Sequence, residues 1–209
     1  MLDLYTAATP NGKKIPIALA ELDLPYELHV IDFKKKEQKS AAFLALNPNG
    51  KIPALVDTSP NDKSSDRVVL FESGAILHYL AEKTGKLLGK NAAQRAEVMS
   101  WLFWQVGGPG PMFGQAGAFG REQPPNKPAY DKFLGESKRL AEVLDGRLEG
   151  RDWIAGDYSI ADIANYPWFD GIKSFEPSIV ENVPHVQAWL RRMSARPAVQ
   201  KGMRLGRDE

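Results

Sequence analysis

The sequence predicts a mixed α/β domain followed by an all-helical domain. Up to Thr84, short apolar runs of strand length alternate with helical patterns in the order β-α-β-α-β-β-α. Beyond Gly85 only the helical period remains. With 209 residues, 43% of them hydrophobic and 25% charged, the chain has enough apolar material for the cores of two small domains.

The elements of the first domain follow from the spacing of its apolar residues. The turn residues Thr9–Gly12 separate the first strand from the first helix. Pro53 belongs at the entrance of a strand because proline donates no hydrogen bond to a sheet. The predicted elements are strand 2–5, helix 13–22, strand 26–32, helix 40–46, strands 52–57 and 67–71 joined by a hairpin loop at 59–66, and helix 73–84.

The second domain is predicted to contain helices 92–106, 129–148, 160–170 and 183–192. We place the first domain at 1–85, a linker at 86–90 and the helical domain at 91–209. Ser159 and Asp162 have the spacing of a capping box, which predicts a structural role for Asp162. The uncharged stretch 101–120 is rich in glycine and proline, so we interpret it as a kinked buried helix beside a cavity rather than a membrane span.

Composition excludes several classes of chemistry. The chain has no cysteine, which rules out disulfides, thiolate metal sites and a protein thiol nucleophile. Its formal net charge of +1 gives no electrostatic reason to expect nucleic acid or an anionic membrane as a partner. His29, His78 and His185 lack the spacing of metal ligands, so no metal site is predicted. No amino-terminal leader is apparent, and we expect a cytoplasmic protein.

The segment from Asn47 to Gly74 predicts a pocket for a small zwitterionic peptide. Ile52 precedes Pro53 and is therefore expected to be extended, with its N–H and C=O turned toward a peptide ligand. Glu72 and Ser73 lie where a strand gives way to a helix. The helix start favours a carboxylate and the acid favours an ammonium group.

Three motifs resemble those of the cytosolic glutathione transferases, in order and in spacing. They are Asn47-Pro48 with Lys51-Ile52-Pro53-Ala54-Leu55, Glu72-Ser73-Gly74-Ala75-Ile76, and Tyr158-Ser159-Ile160-Ala161-Asp162-Ile163. The sequences Thr9-Pro10-Asn11-Gly12 and Trp101–Gly108 are also similar to the nu class of bacteria and fungi. The resemblance implies a thioredoxin-like first domain, a homodimer, and reduction of disulfides with two glutathiones or one glutathione disulfide in the site.

The resemblance also implies catalytic roles for Asn11 and Thr9. A free thiol with a pKa of about 8.5 is only slightly ionised at neutral pH, so polar donors must favour the thiolate of glutathione. The alternative for Asn11 and Thr9 is a turn and helix cap with no ligand. Tyr5 is a rival activator, although packing within the first strand explains it better.

Seven further residues are implied to bind glutathione. Ile52 would offer its backbone to the cysteinyl part, with Pro53 as its scaffold, while Glu72 and Ser73 would hold the γ-glutamyl end. Gln38 and Lys51 are candidates for the glycine end. Lys132 would serve a second glutathione, at a position where the family often has arginine. Lys14 could also approach an anionic ligand, but we interpret it as a solvated lysine of the first helical turn.

Three functions remain open at this point. The leading hypothesis is disulfide reduction by bound glutathione thiolate. The same fold also supports conjugation of glutathione to electrophiles or reduction of organic peroxides. A non-catalytic protein used for dimerisation or regulation belongs to a different class.

Overall fold

A computed structural model describes residues 1–61, 66–124 and 126–206, and it confirms the predicted fold class. Four strands and three helices form the first part of the chain, and helices follow. The elements are β1 Leu2–Thr6, α1 Pro10–Glu21, β2 Glu27–Val30, α2 Ala41–Leu46, β3 Ala54–Asp57, β4 Val68–Phe71, α3 Ser73–Thr84, α4 Ala92–Gly107, α5 Pro109–Phe119, α6 Lys127–Leu148, α7 Ile160–Phe175, α8 Pro184–Ser194 and α9 Pro197–Met203. Short 3₁₀ turns occur at Glu37–Lys39 and Pro177–Ile179.

The sheet has the strand order β2-β1-β3-β4. β1 pairs in parallel with β2, while β1 and β4 both run antiparallel to β3. Tyr5 lies opposite Ala54, which lies opposite Phe71 on its other side. The end of β1, the start of β3 and the end of β4 therefore meet at one end of the sheet. The predicted hairpin loop 59–66 lies partly outside the described residues.

The chain divides into two compact units, one comprising residues 1–88 with the segment from Arg196, and the other comprising residues 89–195. In the first unit α9 packs against α1, and Arg196 donates two hydrogen bonds to the Glu21 carboxylate at 2.7 and 2.8 Å. The final helix thus belongs to the first unit of this division. The domain limits proposed above, 1–85 and 91–209, stay a prediction.

Gly202 is the point of closest approach between α9 and α1. A Cβ atom at Gly202 would lie 2.4 Å from the backbone nitrogen of Ile17, so the helices could not keep their separation. We expect Gly202→Ala to lower the free energy of unfolding by about 1–3 kcal/mol, measured by denaturant titration. Gly146→Ala is the control, because a Cβ there meets nothing within 4 Å, and it should be neutral or stabilising. Equal effects of the two substitutions would contradict this account.

The prediction for residues 101–120 is wrong in two respects. The stretch forms two helices, α4 and α5, with Gly108 between them at φ −114° and ψ −91°. It is also only partly buried, since Phe103 is 65% exposed whereas Phe113 packs edge-on against Phe169 in the core. Among the described residues, no helix is both long and apolar enough to cross a membrane.

The capping box at the start of α7 is present as predicted. The Ser159 hydroxyl accepts a hydrogen bond from the Ala161 N–H, and the Asp162 carboxylate accepts one from the Ser159 N–H at 3.0 Å. Asp162 is fully buried and also accepts from the Ile154 N–H and the Trp189 indole. These contacts make Asp162 a structural residue of the second unit.

Candidate active site

Three chain segments meet at one end of the sheet. β1 ends at Thr6 and leads into α1, β3 starts at Ala54 directly after Ile52-Pro53, and β4 ends at Phe71 directly before Glu72. The sheet register holds the last two segments side by side, because Ala54 lies opposite Phe71. The motifs singled out in the sequence analysis therefore lie around a single sheet end, although up to about sixty residues separate them along the chain.

A pocket of about 430 Å³ lies at this end of the sheet. It brings together five of the predicted site residues, which come from three different segments. They are Thr9, Asn11, Gln38, Lys51 and Ile52. Phe33, Lys39 and Gly50 complete the lining and were not predicted.

Thr9 and Asn11 lie at the start of α1, where Thr9 is the N-cap. The Thr9 hydroxyl accepts a hydrogen bond from the Gly12 N–H at 3.1 Å. Thr9 therefore caps the helix, which does not exclude a second role, since a hydroxyl that accepts still has its own proton to donate. Asn11 is in the first turn, where the helix dipole is positive.

The loop that leads into β3 is held by the buried side chain of Asn47. Its amide nitrogen donates to the Lys51 carbonyl and its oxygen accepts from the Asn49 N–H at 2.9 Å. Gly50 has a φ of +62°, and a Cβ atom there would lie 2.7 Å from the Lys39 ammonium nitrogen. Ile52, whose peptide bond to Pro53 is cis, lies outside the registered pairs of the sheet.

Glu72 and Ser73 form the junction between β4 and α3. Glu72 has a φ of +71°, a conformation uncommon for a residue with a side chain, and its carboxylate makes no capping bond to α3. Residues held in this region cluster at ligand sites. Ser73 is buried, and its hydroxyl accepts a hydrogen bond from the Lys14 ammonium of α1 at 3.2 Å.

Comparison with known proteins decides the family. Residues 8–83 match the model of the glutathione S-transferase N-terminal domain, and residues 111–197 match that of the C-terminal domain. The disulfide-bond oxidoreductase YfcG of Escherichia coli is 45% identical over 205 residues, which cover 97% of this chain and 94% of that protein. The chain belongs to the glutathione S-transferase family.

Two solved structures of this family are close to our glutathione S-transferase. One is a glutathione transferase family member from Pseudomonas fluorescens with two glutathione bound. It is 43% identical to this chain with a TM-score of 0.92, and the match covers 98% of this chain and 92% of that chain. The other is a glutathione transferase from Pseudomonas putida with one glutathione disulfide bound per subunit. It is 43% identical to this chain with a TM-score of 0.91, and the match covers 98% of this chain and 91% of that chain.

The pocket lining does not include four of the predicted site residues, which are Pro53, Glu72, Ser73 and Lys132, nor the rival activator Tyr5. Lys132 is an exposed residue of α6 in the second unit, so its role stays a prediction. Tyr5 stacks on His29 with the ring centroids 4.4 Å apart. Burial and the carboxylates of Asp3 and Glu27 raise the pKa of Tyr5, which agrees with the packing interpretation.

Two polar clusters were not predictable from the sequence, one at Lys14 and Ser73 and the other on the sheet. Lys14 is 1% exposed, so its interpretation as a solvated lysine is wrong. On the sheet, one carboxylate oxygen each of Asp3 and Glu27 and one imidazole nitrogen of His29 lie within 4.8 Å of one another. The His29 Nε2 lies 3.3 Å from the Asp3 carboxylate. Both clusters join residues from different elements, and no spacing along one segment could have revealed them.

Proposed function

We propose that this transferase reduces small disulfides with the thiolate of bound glutathione. The observation that carries the proposal is the shared pocket of Thr9, Asn11 and Ile52 in a chain that has no cysteine. A protein thiol cannot take part, so the ligand must bring the reactive sulfur. YfcG, the relative that is 45% identical over nearly the whole chain, is a disulfide-bond oxidoreductase.

The reaction consists of two thiol–disulfide exchanges. The glutathione thiolate attacks one sulfur of the acceptor disulfide, which forms a glutathione mixed disulfide and releases the other half as a thiolate. A second glutathione thiolate attacks the mixed disulfide, and glutathione disulfide and the second acceptor thiolate are released. Two glutathiones are oxidised, the acceptor disulfide is reduced, and the two protons of the glutathione thiols end on the acceptor thiols.

We assign activation of the sulfur to Asn11 and Thr9. The Asn11 amide and the Thr9 hydroxyl proton are donors at the positive end of α1. Donors aimed at the sulfur favour its anion over the thiol. Lowering the thiol pKa by about two units, roughly 2.7 kcal/mol, makes most bound glutathione ionised at neutral pH.

We assign glutathione binding to the remaining predicted site residues. Ile52 offers its backbone to the cysteinyl part, where Pro53 fixes its direction, and Glu72 and Ser73 hold the ammonium and carboxylate of the γ-glutamyl end. Gln38 and Lys51 hold the glycine carboxylate, and Lys132 serves a second glutathione.

The test is a comparison of two activities of the purified protein. One assay measures glutathione-dependent reduction of hydroxyethyl disulfide, coupled to NADPH through glutathione reductase. The other measures conjugation of glutathione to a chloronitrobenzene. We expect disulfide turnover well above the uncatalysed rate and weak conjugation, whereas conjugation alone would contradict the proposal and favour the alternative activity.

A cytoplasmic location and a homodimeric state belong to the same proposal. A reducing compartment supplies the glutathione that the reaction consumes. Phe103 of α4, 65% exposed, is a large apolar side chain suited to a subunit contact. Light scattering after gel filtration should give twice the chain mass of 23.2 kDa, and a monomer would contradict this part.

A further inference from the structure

Lys14 is a buried cation that the reaction scheme above does not use. It lies in α1, three residues after Asn11, and only 1% of its surface is exposed. Its ammonium group donates to the Ser73 hydroxyl at the first position of α3, at 3.2 Å. Burying a lysine is costly unless the charge has a purpose or a partner.

The direction of the Ser73 hydroxyl depends on Lys14. A charged ammonium group can only donate, so the Ser73 oxygen must accept from it and the hydroxyl proton points elsewhere. That proton, together with the N–H groups at the start of α3, is then available to an arriving carboxylate. With neutral Lys14, the hydroxyl could instead donate to the lysine nitrogen, and the site would lose one donor.

We propose that Lys14 is a positioning residue that makes the start of α3 selective for a ligand carboxylate. It acts through Ser73, whose hydroxyl it orients, and through its own positive charge. The inference rests on the proposed function, because it assigns that carboxylate to the γ-glutamyl end of glutathione.

Lys14 also makes carboxylate binding depend on pH near neutrality. Two helices pack against α1, and both carry charged or titratable groups. They are Glu72, His78, Glu82 and Lys83 in α3 and its N-cap, and Arg196 and Lys201 in α9 and its N-cap. Among these groups, the Glu72 carboxylate raises the Lys14 pKa. Burial outweighs this effect and lowers the pKa to about 7. The positive charge is therefore present below pH 7 and is lost as the pH rises.

The experiment compares two ligands whose thiol is masked by S-methylation, so that sulfur ionisation plays no part. One is S-methylglutathione, and the other is its analogue with 4-aminobutyrate in place of the γ-glutamyl residue, which keeps the ammonium and lacks the carboxylate. Calorimetry gives both affinities for wild type, Lys14→Met and Lys14→Arg. Met keeps the length and apolar stem of lysine, and Arg keeps the charge.

We expect wild type to prefer the ligand with the carboxylate by about 10- to 100-fold. Lys14→Met should lose most of this preference, and Lys14→Arg should restore it. A purely structural lysine would leave the ligand preference unchanged in Lys14→Met, whatever the change in melting temperature.

The pH profile tests the inference on wild type alone, so it holds even if a variant does not fold. Wild-type affinity for S-methylglutathione should fall between pH 6 and 8.5, and the affinity of the analogue should not. A flat profile, or equal ligand preference in wild type and Lys14→Met, overturns the inference and leaves disulfide reduction standing. Binding without disulfide turnover overturns only the proposed function, and a wild type that binds neither ligand overturns both.

Discussion

Asn11→Ala is expected to lower kcat/KM for glutathione-dependent disulfide reduction by about 10²- to 10³-fold. This is the usual loss when one preorganised donor to a reacting anion is removed. The side chain lines the pocket at the first turn of α1, where its amide can stabilise the thiolate. The measurement is steady-state turnover of hydroxyethyl disulfide over a range of glutathione concentrations.

Two controls separate this effect from damage to the fold. Asn11→Asp keeps the shape but places a carboxylate beside the sulfur, so it should be at least as inactive as the alanine variant. Lys13→Ala changes a neighbouring side chain that is not part of the pocket lining and should retain activity. If Asn11→Ala kept an activity within threefold of wild type, the assignment of Asn11 to activation of the sulfur would be wrong.

Asp162→Ala should lower the free energy of unfolding by about 3–5 kcal/mol. The carboxylate is fully buried and accepts hydrogen bonds from the Ile154 N–H at 3.1 Å, the Trp189 indole at 2.9 Å and the Ser159 N–H at 3.0 Å. Removing it leaves three buried donors without an acceptor, and each costs about 1–3 kcal/mol before relaxation. Urea unfolding followed by tryptophan fluorescence measures the difference.

Burial raises the pKa of Asp162 to about 6, although its hydrogen bonds act to lower it. The unfolding measurement is therefore made at pH 7.5, where the carboxyl group is ionised. Asp157→Ala is the matched control, because that carboxylate is 71% exposed and lies 4.0 Å from the Lys90 ammonium. We expect Asp157→Ala to lower the free energy of unfolding by less than about 0.5 kcal/mol. A loss below 1 kcal/mol for Asp162→Ala would contradict the structural role.

The sequence predicts the elements whose signals are local. Helix 73–84 agrees with α3 at both ends, because its apolar residues recur at helical spacing as far as Ala81 and Gly85 ends the helix at φ +68°. Helix α1 begins at Pro10 rather than at the predicted residue 13, since Thr9 and Pro10 are an N-cap and a first-turn proline as well as turn residues. Such ambiguity is inherent in residues that favour both turns and caps.

The features that the sequence did not predict depend on contacts between segments that are distant along the chain. Helix α9 has only seven residues, too few for a clear apolar period, and its place beside α1 follows from the close approach at Gly202. Lys14 belongs to a helix whose start we assign to a different group, the sulfur, and the packing of α1 on α3 places it against Ser73. The motif residues of the pocket were predictable through the family resemblance, and the burial of Lys14 was not.

The most direct test of the central claim is the ionisation of bound glutathione. The thiolate absorbs in the ultraviolet, so a pH titration of the complex, with the protein alone subtracted, gives the thiol pKa in the site. If the pocket activates the sulfur without any protein thiol, the midpoint lies about two units below the free value of ~8.5 and returns toward it in Asn11→Ala. A bound thiol that titrates at its free value in the wild-type complex would contradict the account.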